Sequence, residues 1–366
     1  MTSKNVRILI VEDSGVYATT LKQVVAKLNY AELIDVASNG KIGLEKITLH
    51  KPDLVFSDLE MPVMNGIEMI KSIQRKWKDL PVIIISSHDK RSSTLGVEAL
   101  ALGALDFVQK PTSATLSIDE IVRQFVKTLQ PYVNLIKTKK TANKYNTSKT
   151  KPIEPTQATQ TGTFSAIQSS NKTIPSNLQL IVIGISTGGP NTLSEIIPKI
   201  ALPYKVPILI VQHIPPFFAE SLANRLNKLT DLNVKIAIDG DSAKAGDIVL
   251  APGGKHMILE STVLGGIKLK VVDFPPVHGC KPAVDVLLQS VLQAGLTRTV
   301  TFIMTGMGKD GCAGVTKLRS AGSYSIIQDE ESSTVWGMPG AVYEAKQYDK
   351  ILSKRDIATT LNQLGK

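Results

Sequence analysis

The chain has 366 residues, 43% hydrophobic and 20% charged, with 42 Lys and Arg against 32 Asp and Glu for a net charge of +10. That length suits two or three domains with cores of their own, and the composition is that of a soluble globular protein. Two cysteines, Cys280 and Cys312, do not make a disulfide scaffold and lack zinc-finger spacing. No apolar run approaches the length of a membrane span, and MTSKNVRILI passes straight into a strand-like pattern without signal-peptide architecture. A cytoplasmic protein without direct membrane insertion is therefore expected. Seven lysines and a single acidic residue, Glu154, fall within residues 137–176, so most of the positive charge belongs to one segment. No nucleic-acid partner is expected from it.

In chain order, VRILIVED reads as a strand, followed by a helix near 16–28, a short strand near 33–36 and a helix near 40–49. DLVFSD, a helix after Asn65-Gly66, PVIIISS, a helix near 91–102, ALDFVQKP and a helix from about 117 complete the region. Such alternation implies a parallel sheet wrapped on both faces by helices, with functional groups at the carboxyl edge. Glu12 and Asp13 close the first strand, Asp58 the third and Ser86 the fourth, and Lys110 follows the fifth. Three carboxylates on one edge repel one another unless a cation sits among them, and hard oxygen donors fit Mg²⁺. A carboxylate beside that ion can accept a phosphoryl group, with Lys110 and Ser86 stabilising the transferred oxygens. The competing reading makes Asp13 and Asp58 helix caps and Lys110 a surface residue. Five such positions reaching one edge together favour the site.

Through VEDS, SDLEMPVMNG, IISS and DFVQKP, residues 6–130 resemble a two-component response-regulator receiver domain, a flavodoxin-like fold. The resemblance implies Glu12, Asp13 and Asp58 around Mg²⁺, with the backbone carbonyl of Glu60 as a further ligand. Asp58 becomes the phospho-acceptor, Ser86 and Phe107 take the switch positions, and a sensor histidine kinase is the phosphodonor.

Residues 137–176 are rich in Thr, Ser, Asn, Gln, Lys and Pro and cannot bury enough surface to offset their ordering entropy. They are expected to form a flexible basic linker between a first domain, 1–136, and a second, 177–366.

The second domain opens with LIVIGISTGGP, an apolar run into a small-residue turn. Pro190 after Gly189 excludes a P-loop, and Ser186 breaks a dinucleotide fingerprint. The literal match is G-x-S-x-G over Gly184, Ser186 and Gly188, a spacing that exposes a serine on a sharp strand-to-helix turn. Ser186 or Thr187 serving as a plain N-cap accounts for the stretch equally well. A nucleophilic serine needs a base and an acid. His50 and His88 lie in the first domain; His256 looks like a hairpin position and His278 lies in a loop. His213 closes the strand VPILIVQH, and Asp310 follows the strand TVTFIMTG. Serine, histidine and aspartate thus each close a strand. Their order, Ser then His then Asp, is not that of α/β-hydrolases.

Through GISTGGP, VQHIPPFFAESLANRLN, IVLAPGGKHM, KPAVDVLLQS, MTGMGKDGCAGV and QDEESSTVWGMPGAV, residues 178–366 resemble the chemotaxis protein-glutamate methylesterases, the CheB family. The resemblance implies two doubly wound α/β parallel-sheet domains, a receiver and a methylesterase. It also implies hydrolysis of methyl esters on chemoreceptor cytoplasmic domains to glutamate and methanol, or deamidation of receptor glutamines. Ser186 becomes the nucleophile, His213 the base and Asp310 its partner. The backbone N–H groups of Met307 and Thr187 become the oxyanion donors, and the ester chemistry takes no cofactor. Two departures stand out, Cys280 for the family's more usual histidine and Ala283 for its serine. Both are expected to bear on substrate contacts and to touch neither the triad nor the receiver cluster. A receiver joined to a hydrolase implies gating, with phosphorylation of Asp58 uncovering the Ser186 edge. The rival is a phospho-accepting adaptor with little catalysis, or the same chemistry in a non-chemotactic sensory pathway.

Overall fold

A computed structural model describes residues 5–87, 89–110, 117–147, 172–261 and 266–366. The backbone gathers into two units, one of residues 1–88 with 107–169, the other of residues 89–106 with 170–366.

The first sheet comprises β1 (Val6–Val11), β2 (Ala31–Ala37), β3 (Leu54–Ser57), β4 (Val82–Ser86) and β5 (Asp106–Gln109), in the order β2-β1-β3-β4-β5. The β1–β2, β1–β3 and β3–β4 pairs run parallel. Strands such as LVFS and VIIIS are buried at every position, which is why they read as unbroken apolar runs rather than alternating ones. Between and after them come α1 (Gly15–Lys27), α2 (Gly40–His50), α3 (Gly66–Lys76), α4 (Lys90–Ala101) and α5 (Ile118–Thr147). Ser14, Asn39, Asn65 and Asp89 cap the first four through side-chain oxygens that accept a backbone N–H three residues on. Asn65 and Glu68 form a reciprocal capping box. Helix α5 runs to Thr147, past the boundary expected at residue 136, because KTKKTANKYNT holds no proline or glycine and lysine propagates a helix well. Residues 148–171 of the expected linker lie outside the described residues.

The second unit carries a seven-stranded sheet, parallel throughout. Its elements are β6 (Leu180–Ile185), α6 (Gly189–Ile196), β7 (Ile208–Gln212), α7 (Pro216–Asn227), β8 (Asn233–Ile236), β9 (Ser242–Ala243), β10 (Asp247–Leu250), β11 (His256–Ser261) and β12 (Ile267–Val272). After these come α8 (Val284–Gln293), β13 (Thr299–Ile303), α9 (Cys312–Ser320), β14 (Tyr324–Gln328), α10 (Met338–Glu344), β15 (Lys350–Leu352) and α11 (Lys354–Leu364). The strand order is β15-β14-β13-β6-β7-β10-β8, with β11, β12 and β9 forming a small antiparallel sheet beside it. From β6 the chain first builds outward through β7, then returns to the other side of β6 with β13. The crevice between the β6 and β13 ends is thus a topological switch point, the place where open α/β sheets gather ligands. Val182, Leu209, Val284, Leu288 and Ile303 lie in the buried core. A Cβ at Gly184 would come within 2.7 Å of Val284, so glycine there lets α8 settle close over the end of β6. Among the described residues no helix is long and apolar enough to cross a membrane.

Candidate active site

Three neighbouring strands, β13, β6 and β7, deliver Asp310, Ser186 and His213 to one edge. Backbone bonds tie these strand ends together: Ser186 N donates to Thr305 O at 2.9 Å and His213 N to Ile185 O at 3.1 Å. Beneath them, buried Gln212 donates from Nε2 to both Ser186 O and His213 O, at 3.0 Å each. The Thr305 hydroxyl donates to Thr187 O at 2.9 Å. The residue that caps α6 is Gly188, with no side-chain bond, so neither Ser186 nor Thr187 is the helix cap. Gly188 takes φ +78°, and a Cβ there would lie 2.3 Å from Thr334 Oγ1. Conformation and space both demand glycine at that turn.

His213 Nε2 lies 2.7 Å from Asp310 Oδ2. Asp310 is buried, yet both its oxygens are filled. Val284 N also donates to Oδ2 at 2.6 Å, while Asp285 N and Gly311 N donate to Oδ1 at 3.0 and 2.9 Å. Val284 and Asp285 are the first residues of α8, whose N-terminus favours negative charge. Burial works against the Asp310 carboxylate, but His213 and these N–H groups hold it below the usual aspartate range. Burial would likewise lower His213, but its bonds to Asp310 and Cys280, and their charges, push it up to about 9. Cys280 Sγ sits 3.5 Å from His213 Nδ1. Among the described residues, the Ser186 hydroxyl has no hydrogen-bond partner, and the N–H groups of Met307 and Thr187 have no acceptor. Among the described residues the edge therefore offers a free hydroxyl, an imidazole bonded to a carboxylate, and two backbone N–H groups without an acceptor.

At the edge of the first sheet, Lys110 Nζ lies 2.8 Å from Asp58 Oδ2 and 2.9 Å from Glu12 Oε2, and Asp58 Oδ1 accepts Leu59 N at 2.7 Å. Carboxylate oxygens of Glu12, Asp13 and Asp58 all fall within 4.8 Å of one another. Burial and the neighbouring Asp58 push Glu12 up to about 7, against the pull of Lys110. Lys110 is itself held above the usual lysine value by Asp58 and Glu12 despite burial. One ammonium does not relieve three carboxylates, so this cluster fits a hard divalent cation. Ser86 Oγ is buried without a partner among the described residues, Phe107 is buried, and Lys110 N donates to Ser86 O at 2.8 Å. Glu60 follows two residues after Asp58 with its side chain exposed.

The pattern for CheB methylesterase matches residues 181–361, and that for the response regulator receiver domain matches residues 8–122. The protein-glutamate methylesterase/protein-glutamine glutaminase of Treponema denticola is 37% identical over 370 residues, spanning 99% of each chain. The chain belongs to the CheB methylesterase family. The Bacillus subtilis protein of the same description is 35% identical, again over 99% of each chain. The crystal structure of the Thermotoga maritima CheB methylesterase catalytic domain covers 52% of this chain and 100% of its own, at 37% identity and a TM-score of 0.50.

The other histidines do different work from His213. His50 Nε2 pairs with Asp35 at 3.1 Å and His278 Nε2 with Asp285 at 3.1 Å. His256, fully buried, accepts Ala283 N and meets Pro275 O, bracing the hairpin that β11 and β12 form. His88 lies outside the described residues. His278, Asp285 and Asp310 bring ligand atoms together, but backbone N–H groups and His213 already occupy the aspartate oxygens. Four contributors were missed from sequence: Gln212, Thr305, the α8 N-terminus and Cys280. The expectation that Cys280 touches no member of the triad is corrected, because its turn carries the thiol to the His213 edge facing away from Asp310.

Proposed function

We propose that this CheB-family chain is a receiver-regulated protein-glutamate methylesterase in which Ser186, His213 and Asp310 perform the hydrolysis. The observation that carries this is the hydrogen-bonded His213–Asp310 pair on strands flanking a free serine hydroxyl, with two unengaged N–H groups beside it. Asp310 holds Nε2, so Nδ1 is the nitrogen that takes the Ser186 proton. Catalytic hydrogen bonds of this kind tighten when substrate enters. The serine oxygen adds to the γ-ester carbonyl, and the oxyanion meets Met307 and Thr187 N–H. Methoxide is a poor leaving group, so His213 returns the proton to it as methanol departs. Water then attacks the acyl-serine with His213 again as base, releasing glutamate and the free enzyme. The relatives' names also include glutaminase action, and the same steps with ammonia as leaving group describe it. No cofactor enters this chemistry.

In the receiver unit, Glu12, Asp13 and Asp58, with the Glu60 carbonyl, would hold Mg²⁺, whose charge supports phosphoryl transfer to Asp58. Lys110 neutralises the incoming oxygens, and Ser86, with its unpartnered buried hydroxyl, is set to bond a phosphoryl oxygen at Asp58 and take Phe107 with it. A sensor histidine kinase supplies the phosphoryl group, methylated chemoreceptor cytoplasmic domains supply the ester, and the reaction is cytoplasmic. Treating the full chain with a serine-directed fluorophosphonate, then mapping the adduct by peptide mass spectrometry, tests the nucleophile. Labelling of Ser186 with parallel loss of methanol release is expected; labelling elsewhere with activity intact would sink the assignment.

A further inference from the structure

Cys280 stands on a two-residue turn closed by Cys280 N to Val277 O at 2.8 Å and Val277 N to Cys280 O at 3.1 Å. His278 and Gly279 at its tip take φ +52° and +76°. The turn holds the partly exposed thiol against Nδ1 of the His213 ring while Asp310 holds Nε2, so sulfur, imidazole and carboxylate are linked in series. A thiol facing an imidazole that a carboxylate orients can pass its proton to the ring as its sulfur attacks an electrophile. The neighbouring charged and titratable side chains have partners of their own. Lys281 is bound to Asp273, His278 to Asp285, and His256 to Ala283 N and Pro275 O. Among the described residues, His213 is the titratable group whose ring meets this sulfur.

We propose that Cys280 is a modification site, a thiol made reactive by His213 whose oxidation by a hydroperoxide, or capture by a soft electrophile, switches the esterase off. In the oxidation, the thiolate sulfur attacks one oxygen of hydrogen peroxide. An S–O bond forms and the O–O bond breaks. Sulfur loses two electrons to the peroxide, and the departing hydroxide takes the proton from His213 Nδ1 to leave as water. The products are a sulfenic acid and water, and two equivalents of an added thiol return the cysteine, giving a disulfide and water. The new oxygen stands at Nδ1, the nitrogen needed by Ser186. This consequence rests on the reading of His213 as the base; the reactivity of the thiol does not. Cys312 is an internal contrast, since among the described residues its Sγ meets Ala341 O, at 3.5 Å, and no imidazole, and burial raises its pKa.

The full chain is treated with limiting iodoacetamide from pH 6 to pH 8, and labelling rates at Cys280 and Cys312 are read by peptide mass spectrometry. Methanol release is measured before and after. The proposal expects Cys280, with His213 Nδ1 beside its sulfur, to be labelled at least about tenfold faster than Cys312 across that range. It expects activity to disappear in step with Cys280 labelling. Peroxide should silence the enzyme and dithiothreitol restore it, and His213→Gln should slow Cys280 labelling to the Cys312 rate. Labelling of Cys280 no faster than that of Cys312 in the wild-type chain, or full activity with Cys280 fully labelled, would overturn the proposal. Methanol release by the untreated chain judges the esterase reading separately.

Discussion

Asparagine in place of Asp310 preserves the shape of the side chain and removes one of its two acceptors. Four donors converge on that carboxylate: His213 Nε2 and Val284 N on one oxygen, Asp285 N and Gly311 N on the other. If the new amide NH₂ turns toward Asp285 and Gly311, two buried N–H groups lose their acceptor, at roughly 1–3 kcal/mol each. If it turns toward His213, only Val284 N–H is orphaned, because the ring can accept at Nε2 by moving its proton to Nδ1. The second arrangement costs about half as much and is the one expected. It also leaves Nδ1 protonated and unable to take the Ser186 proton. Asp310→Asn should therefore lose roughly 1–3 kcal/mol in urea unfolding and about 10³–10⁴-fold in kcat/KM for methanol release. A variant that loses this stability yet keeps activity within tenfold of wild type would refute the orienting role of Asp310.

The remaining predictions concern the same edge. With His213, raised to about 9, as the proposed base, kcat/KM should climb with pH and level off near that value, and Asp310→Asn should move the rise toward 6.5. Because the folded value lies above the unfolded one, the stability that protonated His213 contributes is complete below pH 6.5 and lost as pH rises through about 9. The loss should be roughly 3 kcal/mol in denaturant titrations at the two ends of that window. Gln212→Ala strips one donor group from two carbonyls, so it should cost about 1–3 kcal/mol, and displacement of the Ser186 and His213 turns should lower kcat about 10²-fold. Unchanged kcat would show that the turns hold without it.

The sheet edges were legible because their strands announce themselves. VRILIV, LIVIGI, ILIVQ and TVTFI are mostly apolar and do not alternate, as suits strands covered on both faces, and a polar residue just beyond such a run falls at the carboxyl edge. The small-residue turn at Gly188 marked a strand-to-helix bend in the same way. What escaped were contributors defined by tertiary approach. Val284 and Asp285 reach Asp310 through backbone N–H groups that carry no side-chain signal, and Gln212 reads as an ordinary strand residue. Cys280 is 67 residues from His213 in sequence and meets it only through the tertiary fold, which brings its tight turn to the imidazole. Helix α5 runs into the expected linker because a polar, lysine-rich segment has the composition of a linker and the helical propensity to extend α5 by about three further turns.

Methanol release from a methylated chemoreceptor cytoplasmic fragment, with and without a small-molecule phosphodonor and Mg²⁺, tests the account most directly. Wild-type, Ser186→Ala and Asp58→Asn chains would run side by side. The account predicts release that the phosphodonor stimulates in the wild type, that Ser186→Ala abolishes, and that Asp58→Asn leaves at its unstimulated level. Release that survives in Ser186→Ala, or no release from a wild-type chain phosphorylated on Asp58, would contradict it.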